Sequence, residues 1–355
     1  MFIMFFKILA AVVILVLLIL VFFLAYSTLT DYKPPELVPL PIKSYQNEIV
    51  RVEAPYKITT FNIGYCGLDK NQDFFMDGGE TSRSASRDQT LSNLTAAANF
   101  LSGEDPSFIL LQEVDIDSSR SFHTNQPELF LKTLPGYNSV FGTNYKVRWV
   151  PVPLTKPMGS VHSGLLVLSR FNIASSTRYQ YPGGEKWPRQ LFELDRCFVE
   201  SRLPVEESSR ELVLINSHLS AYDEGGVIRK KQLDYLREHI LSEYQKGNYV
   251  IVGGDWNHVL PGTDPGIYTT TEEWPQWLQT MPENFTPEGF IWGADRNIPS
   301  NRTVSSPYRK GGNFTSVIDG FLVSPNVELK KVNGHQLDFE NSDHNPLSCT
   351  FILKK

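Results

Sequence analysis

The residues best suited to chemistry stand at the ends of apolar runs. The run Tyr249–Val252 passes through Gly253 and Gly254 straight into Asp255, Asn257 and His258. Packing does not require these polar residues, and side chains just past a strand end are aimed by rigid backbone into a cleft. The pattern recurs: "ITTFN" delivers Asn62, "FILLQE" delivers Glu113, and "LVLINSH" delivers His218. Two more clusters precede late strands, Asp319 in "VIDGFLV" and Asp343-His344 in "NSDHNPLSCTFI". These types form a complementary set for splitting a phosphate ester with water. Glu113 offers a hard oxygen ligand suited to magnesium, which keeps several waters and takes only one or two carboxylates. Asn62 can ligate or hydrogen-bond without adding charge. Asp255 can align and deprotonate an attacking water. His218 and His344 can donate hydrogen bonds to a phosphoryl oxygen as charge develops there, and Asp319 can fix the tautomer of His344. Taken singly, each residue has a plain structural reading, a solvated carboxylate or a hydrogen-bonded histidine. Only the sixfold recurrence points to a site.

The elements that position these residues alternate. Strands are expected at Tyr56–Gly64, "SFILLQEVD", "SGLLVLSRF", "ELVLINSHLSAYD", Tyr249–Val252, "SVIDGFLVS" and "LSCTFILKK". Helices are expected over Ser86–Phe100, in "QPELFLKTLP", and from Val227 to a stop at Gly247. Strands that alternate first with helices and later with one another imply a mixed-sheet, layered α/β fold. If the late strands run antiparallel to the early ones, all six clusters meet at one edge of the sheets. Residues 263–312 break the rhythm with Trp274, Trp277, Trp292, many prolines, and Arg296, Arg302, Arg309 and Lys310.

In order along the chain, "TFNIG", "LLQEVD", "NSHLSA", "GGDWN", "IDGFLVS" and "SDHNP" resemble the signatures of the endonuclease/exonuclease/phosphatase superfamily, with its deoxyribonuclease-I-like fold. They span Ile58 to Phe351. "FFMDGG" and "LDRCF" resemble a bacterial, membrane-anchored subgroup. The resemblance implies a four-layer αββα sandwich of two mixed sheets, and cleavage of a phosphate ester by water with a divalent cation, Mg2+ with Mn2+ or Ca2+ as alternatives. It implies Glu113 as the principal metal ligand, with Asn62 beside it and Asp343 in the metal shell. Asp255 would position the water, Asn257 would contact the phosphate, and His218 would bind phosphate or act as an acid. Asp319 would pair with His344, which would stabilise the transition state. Ser163 departs from the asparagine of nuclease-like members. Asp69 stands where some members place another acid, with Asp73, Asp77 and Glu80 as rivals. Arg170 is read as a phosphate contact or an exposed ion pair.

Residues 8–25 form an uninterrupted apolar run of 18, long enough for a transmembrane helix. Residues 1–29 are read as an uncleaved signal anchor, 30–55 as a proline-rich linker, and 56–355 as the catalytic domain. The layout implies a single-pass protein of the cell membrane with its domain outside the cytoplasm, or a secreted one if Ala25-Tyr26-Ser27 is cleaved. Net charge is −6 over 355 residues, which argues against holding nucleic acid by charge alone but not against metal-dependent phosphate chemistry. Cys66, Cys197 and Cys349 lie far apart and read as ordinary thiols. The expected protein is a monomer acting on nucleic acid, a phospholipid headgroup in the manner of sphingomyelinases, or a small phosphate ester. The alternative from another class is a silent surface-binding module on the same fold.

Overall fold

In the computed structural model, which describes residues 2–355, α1 (Phe2–Leu29) leads into two short strands, β1 (Leu37–Pro39) and β2 (Ile42–Lys43). There follow β3 (Pro55–Asn62), α2 (Arg87–Glu104), β4 (Phe108–Asp115), α3 (Gln126–Thr133), β5 (Asn138–Val150), β6 (Gly159–Ser169), β7 (Ser175–Gln180) and β8 (Cys197–Pro204). Next come β9 (Glu211–His218), α4 (Val227–Gln245) and β10 (Tyr249–Asp255). The remainder holds β11 (His258–Val259), β12 (Gln279–Thr280), β13 (Ile291–Gly293), β14 (Asn301–Arg302), β15 (Thr315–Ser316), β16 (Asp319–Val323), β17 (Val327–Gly334) and β18 (Leu347–Leu353).

Two seven-stranded mixed sheets carry the fold, ordered β1-β7-β8-β9-β10-β16-β13 and β17-β18-β3-β4-β6-β5-β2. Ile58, Phe108, Leu110 and Val167 of one sheet interleave with Leu203, Leu214, Ile251 and Phe321 of the other in a fully buried core. Leu233, Leu236 and Ile240 of α4 cover the outer face of the first sheet. Leu94, Ala98 and Leu101 of α2, with Phe130 of α3, cover that of the second. The order helix, sheet, sheet, helix is the expected four-layer sandwich. Ser86 caps α2 by accepting from the Gln89 amide at 3.1 Å, as its position before the periodic run implies.

Residues 30–55 differ from the linker reading. They are extended but stitched to both sheets: Leu37–Pro39 pairs with β7, Ile42–Lys43 pairs with β5, and Val50 is fully buried. Prolines suit sheet edges, where no ladder donor is needed, so the segment edges the domain. Segment 263–312 also turns inward. Trp292 packs edge-on against Trp256 at 4.7 Å, and Arg302 is buried, donating to the carbonyls of Thr303, Asp69 and Gln72.

His258, buried in β11, is engaged at Nδ1 with the Trp256 carbonyl at 2.7 Å. Burial, helped by Arg229, pushes its pKa down to about 4. The fold thus holds this ring neutral, while the unfolded chain protonates it near the ordinary value of about 6.5. Stability from this group is intact above about pH 6.5 and is lost as pH falls towards 4. At about 1.4 kcal/mol per unit of pKa, the loss approaches 3 kcal/mol. Denaturant unfolding of wild type and His258→Gln at pH 7 and pH 4.5 tests this. The variant is expected to lose less stability on acidification, and equal losses refute the assignment.

Candidate active site

The strand directions meet the condition for convergence. β3 runs parallel to β4, and β9 parallel to β10, with His218 in register with Asp255. β16 is antiparallel to β10 and sets Asp319 opposite Asp255. β18 is antiparallel to β3 and begins three residues after His344. Ends of early strands and starts of late ones therefore share one edge of the sandwich.

Backbone detail aims the side chains. Between Leu111 and Val114 the β4–β6 register shifts, and Glu113 adopts φ +55°. Such a bulge re-aims a side chain beside a site, and Glu113 is turned into the cavity. Gly254 has φ +145°, and a Cβ there would lie 1.9 Å from the Ser217 carbonyl oxygen. Only glycine lets β10 close on β9 one residue before Asp255. Beneath the site a buried amide pair joins the two sheets. Gln112 Nε2 donates to Asn216 Oδ1 at 2.7 Å, and Asn216 Nδ2 donates to the Leu111 and Leu166 carbonyls.

One amide ties the centre together. Asn62 Nδ2 donates to Asp255 Oδ2 at 3.0 Å and to Glu113 Oε1 at 3.3 Å, and lies 3.5 Å from His344 Nε2. Asn62 Oδ1 accepts from the Gly64 amide at 3.0 Å, so the nitrogen rather than the expected ligand oxygen faces the carboxylates. Asp255 Oδ2 is also approached by His218 Nε2 at 3.3 Å and His344 Nε2 at 3.7 Å, and Asp255 Oδ1 accepts from the Asn257 amide at 2.9 Å. His344 Nδ1 pairs with Asp319 Oδ2 at 2.7 Å. Asn257 turns its own amide to the Leu219 carbonyl at 2.8 Å, which makes it a brace for the Asp255 turn as well as a wall of the cavity. Asp343, bonded to Ser342 Oγ at 3.3 Å, faces the same cavity.

The electrostatics divide the two histidines. Burial opposes charge on His344, but Asp319, Asp255 and Asp343 outweigh it and raise its pKa to about 10; the ring is an imidazolium. His218 is driven the other way by burial and by Arg196, His344 and Arg120, so it is neutral, and its buried Nδ1 has no partner among the described residues. Burial and then Asp319 raise the Asp255 carboxyl, against His344.

The donor set fits a divalent cation. Asp343 is pushed up to about 6 by burial first, with Glu113 adding and His344 opposing. Two carboxylates turned into one cavity are a donor pair that a hard cation takes up. A Cβ on Gly64 would lie 2.5 Å from Asp343 Oδ1, so the bare glycine keeps that oxygen open. A second acidic group, Glu200, His239 and Glu243, lies elsewhere and is already satisfied. Its four carboxylate oxygens meet Arg202, His239, Lys246 and Asn248.

The site opens into a cavity of about 240 Å³, and other residues line it. Arg120 is buried and held bidentately by Asp115 at 2.9 and 3.1 Å, with Nη1 3.8 Å from Glu113. Arg196 reaches the cavity with Nη1 unpartnered. Tyr222 donates to Asp77 at 2.6 Å, and Tyr65 lies under the Arg120 guanidinium. Tyr65 and Tyr222 stand three and four residues past Asn62 and His218, so following each strand end a little further finds them. Arg120 and Arg196 enter from loops. Of the loop acids, Asp77 reaches the cavity, whereas Asp69 accepts from Asn71 and Asn93 and Asp73 from Thr81, both closing the loop. Arg170 pairs with Asp105 and covers Tyr137, the exposed ion-pair alternative.

A family model described as "Endonuclease/Exonuclease/phosphatase family" matches residues 59–344. No curated protein matches the sequence. Among solved structures, an endonuclease/exonuclease/phosphatase from Beutenbergia cavernae DSM 12333 is similar at 17% identity and a TM-score of 0.60, over 84% of this chain and 72% of that one. D. rerio TDP2 complexed with single strand DNA product is similar at 14% and 0.52, over 84% and 99%. The human Nocturnin catalytic domain with bound sulfate anion is similar at 16% and 0.52, over 89% and 97%. At these identities the likeness carries the fold.

Proposed function

We propose, on the premise that this chain belongs to the endonuclease/exonuclease/phosphatase family, that it hydrolyses a phosphate ester with water at the centre tied by Asn62. The observation that carries this is the meeting of Glu113, Asp255 and His344, residues drawn from three distant parts of the chain: one Asn62 amide donates to both carboxylates, and His344 Nε2 lies 3.7 Å from Asp255. A silent binding module has no need of a buried imidazolium beside an unpartnered imidazole nitrogen.

Glu113 and Asp343, with Asn62 beside them, would hold a divalent cation, with magnesium favoured by the all-oxygen donors. When bound, the cation supplies positive charge to the phosphoryl oxygens. Asp255, braced by Asn62 and Asn257, orients the attacking water and takes its proton. The His344 imidazolium, oriented by Asp319, donates to a phosphoryl oxygen. His218, neutral, braces Asp255 through Nε2, and Arg196, which lines the same cavity, meets the ester. We further place α1 in a membrane, with the domain outside the cytoplasm. α1 is 28 residues long and apolar enough to cross one.

Purified full-length protein, stripped with EDTA and then given Mg2+, Mn2+ or Ca2+, tests the reading on bis-p-nitrophenyl phosphate. Turnover is expected to vanish on chelation and return with the ion. Activity that survives chelation, or no hydrolysis with any of the three ions, overturns it.

A further inference from the structure

The cavity has two characters. Its floor carries the carboxylates, imidazoles and Arg120, whereas its mouth is lined by the more accessible Phe74, Phe75, Met76 and Phe192, backed by the buried Val150 and Met158. A small water-soluble phosphate ester gains little from such a mouth. An ester with an apolar tail gains about 0.8 kcal/mol for each methylene it buries there.

The same mouth adjoins the end of α1. Phe23 stacks on Phe192 with ring centroids 5.8 Å apart and planes 6° from parallel. Trp187 Nε1 donates to Thr28 Oγ1 at 3.2 Å, and Lys146 lies over the Tyr32 ring. Phe23 is about 9 Å along the helix axis from Leu29 at 1.5 Å per residue. With the apolar run of α1 in hydrocarbon, Phe192 then sits at the border between acyl chains and headgroups.

The rim matches that depth. Trp149, Val152, Leu154 and Trp187 are exposed, Leu154 by 89% and Trp187 by 57% even with α1 in place. Between them stand Lys146, Arg148, Lys156 and Lys186, all exposed. The acids here are paired: Glu185 and Glu193 with Arg189, and Asp31, which stands beside Lys146 and Arg148, with Lys33. Single exposed apolar residues are ordinary on any surface. Two tryptophans and a leucine among basic residues, flanking in sequence the cavity-lining Val150, Val152 and Glu185 and beside a membrane-length helix, form an interfacial belt. The rim is basic on a chain whose net charge is −6.

We infer that the rim of the catalytic cavity rests on the membrane that α1 enters, and that the substrate is a phospholipid whose phosphodiester reaches the floor while its acyl chains stay at the apolar mouth. The inference rests on the phosphoesterase reading and names its substrate class. One water is consumed per turnover. Its oxygen bonds to phosphorus, one ester P–O bond breaks, and the departing oxygen leaves as an alcohol carrying one of the water's protons.

The full-length chain in proteoliposomes tests this with phosphatidylglycerol, phosphatidylcholine and sphingomyelin, paired with chain-free soluble diesters: glycerophosphoglycerol for the first and glycerophosphocholine for the other two. Single-stranded DNA and bis-p-nitrophenyl phosphate are run beside them with Mg2+. At least one lipid is expected to exceed its soluble counterpart in kcat/KM by about a hundredfold, the worth of burying some three to four methylenes. In Leu154→Glu and Trp187→Glu the ratio of lipid to soluble-ester turnover is expected to fall at least tenfold. If bis-p-nitrophenyl phosphate is hydrolysed but no lipid exceeds its soluble counterpart, or DNA is preferred to every lipid, this inference fails and the phosphoesterase reading stands. If no phosphate ester is hydrolysed, both fail.

Discussion

Glu113→Gln is expected to lower metal-dependent turnover by about a thousandfold or more and to leave the fold intact. The substitution keeps the shape and an acceptor for Asn62 Nδ2, now 3.3 Å from Oε1, and removes only charge. The lost charge matters because Glu113 and Asp343, which line the cavity together, are the pair proposed to hold the cation. A bound cation contributes several kcal/mol of transition-state stabilisation, and each 1.4 kcal/mol is tenfold in rate. Little is asked of Glu113 in packing. Its side chain is 24% exposed and its nearest cation, Arg120, is already held by Asp115. Stability should therefore change by no more than about 0.5 kcal/mol. Turnover against metal concentration, with circular dichroism and a denaturant midpoint on the same sample, checks both halves. Wild-type turnover in the variant, or loss of turnover only through unfolding, removes Glu113 from the metal site.

What could be read from sequence follows from which strands are buried on both faces. β3, β4, β6, β9, β10 and β16 lie inside their sheets, and their apolar runs announce them. The site residues inherit that clarity, since each stands at or within a few residues of one end of an apolar run. β7 (Ser175–Gln180) and β17 (Val327–Gly334) are near-edge or edge strands rich in polar and charged residues, Ser176 and Arg178 of β7 being buried, and their pattern resembles loop. β8 hides for another reason. Glu200, Ser201 and Arg202 interrupt it, and Glu200 is buried in the network with Arg202 and His239, a partnership no local window shows. β5 bends through two register shifts, which break the alternation. Asn62 was readable as a site residue, but the direction of its amide depends on the Gly64 backbone. Tryptophans cluster along the sequence in 263–312, yet that segment packs Trp292 inward. Trp149 and Trp187, isolated in sequence, are each brought by the fold to the end of α1, Trp149 beside Ser27 and Thr30 and Trp187 on Thr28.

The His344–Asp319 pair separates catalysis from positioning. His344→Gln is expected to cost about a hundred- to a thousandfold in kcat, the scale for losing one preorganised donor to a developing oxyanion. Asp319 touches the imidazole Nδ1 at 2.7 Å and sits away from the cavity lining, so it acts through His344. Asp319→Asn should therefore lower kcat by less, and the double variant should be no slower than His344→Gln alone. A merely structural Asp319 would give additive losses. The imidazole supplies an independent reading. Because Asp319 is the chief group raising the His344 pKa to about 10 against burial, Asp319→Asn must move that titration down, towards the neutral ring that can no longer donate from both nitrogens. Following the His344 ring signals by NMR against pH in metal-free protein reads the shift directly. An unmoved titration, or a double variant slowed by the product of the two single losses, would show that the carboxylate does not work through the imidazole.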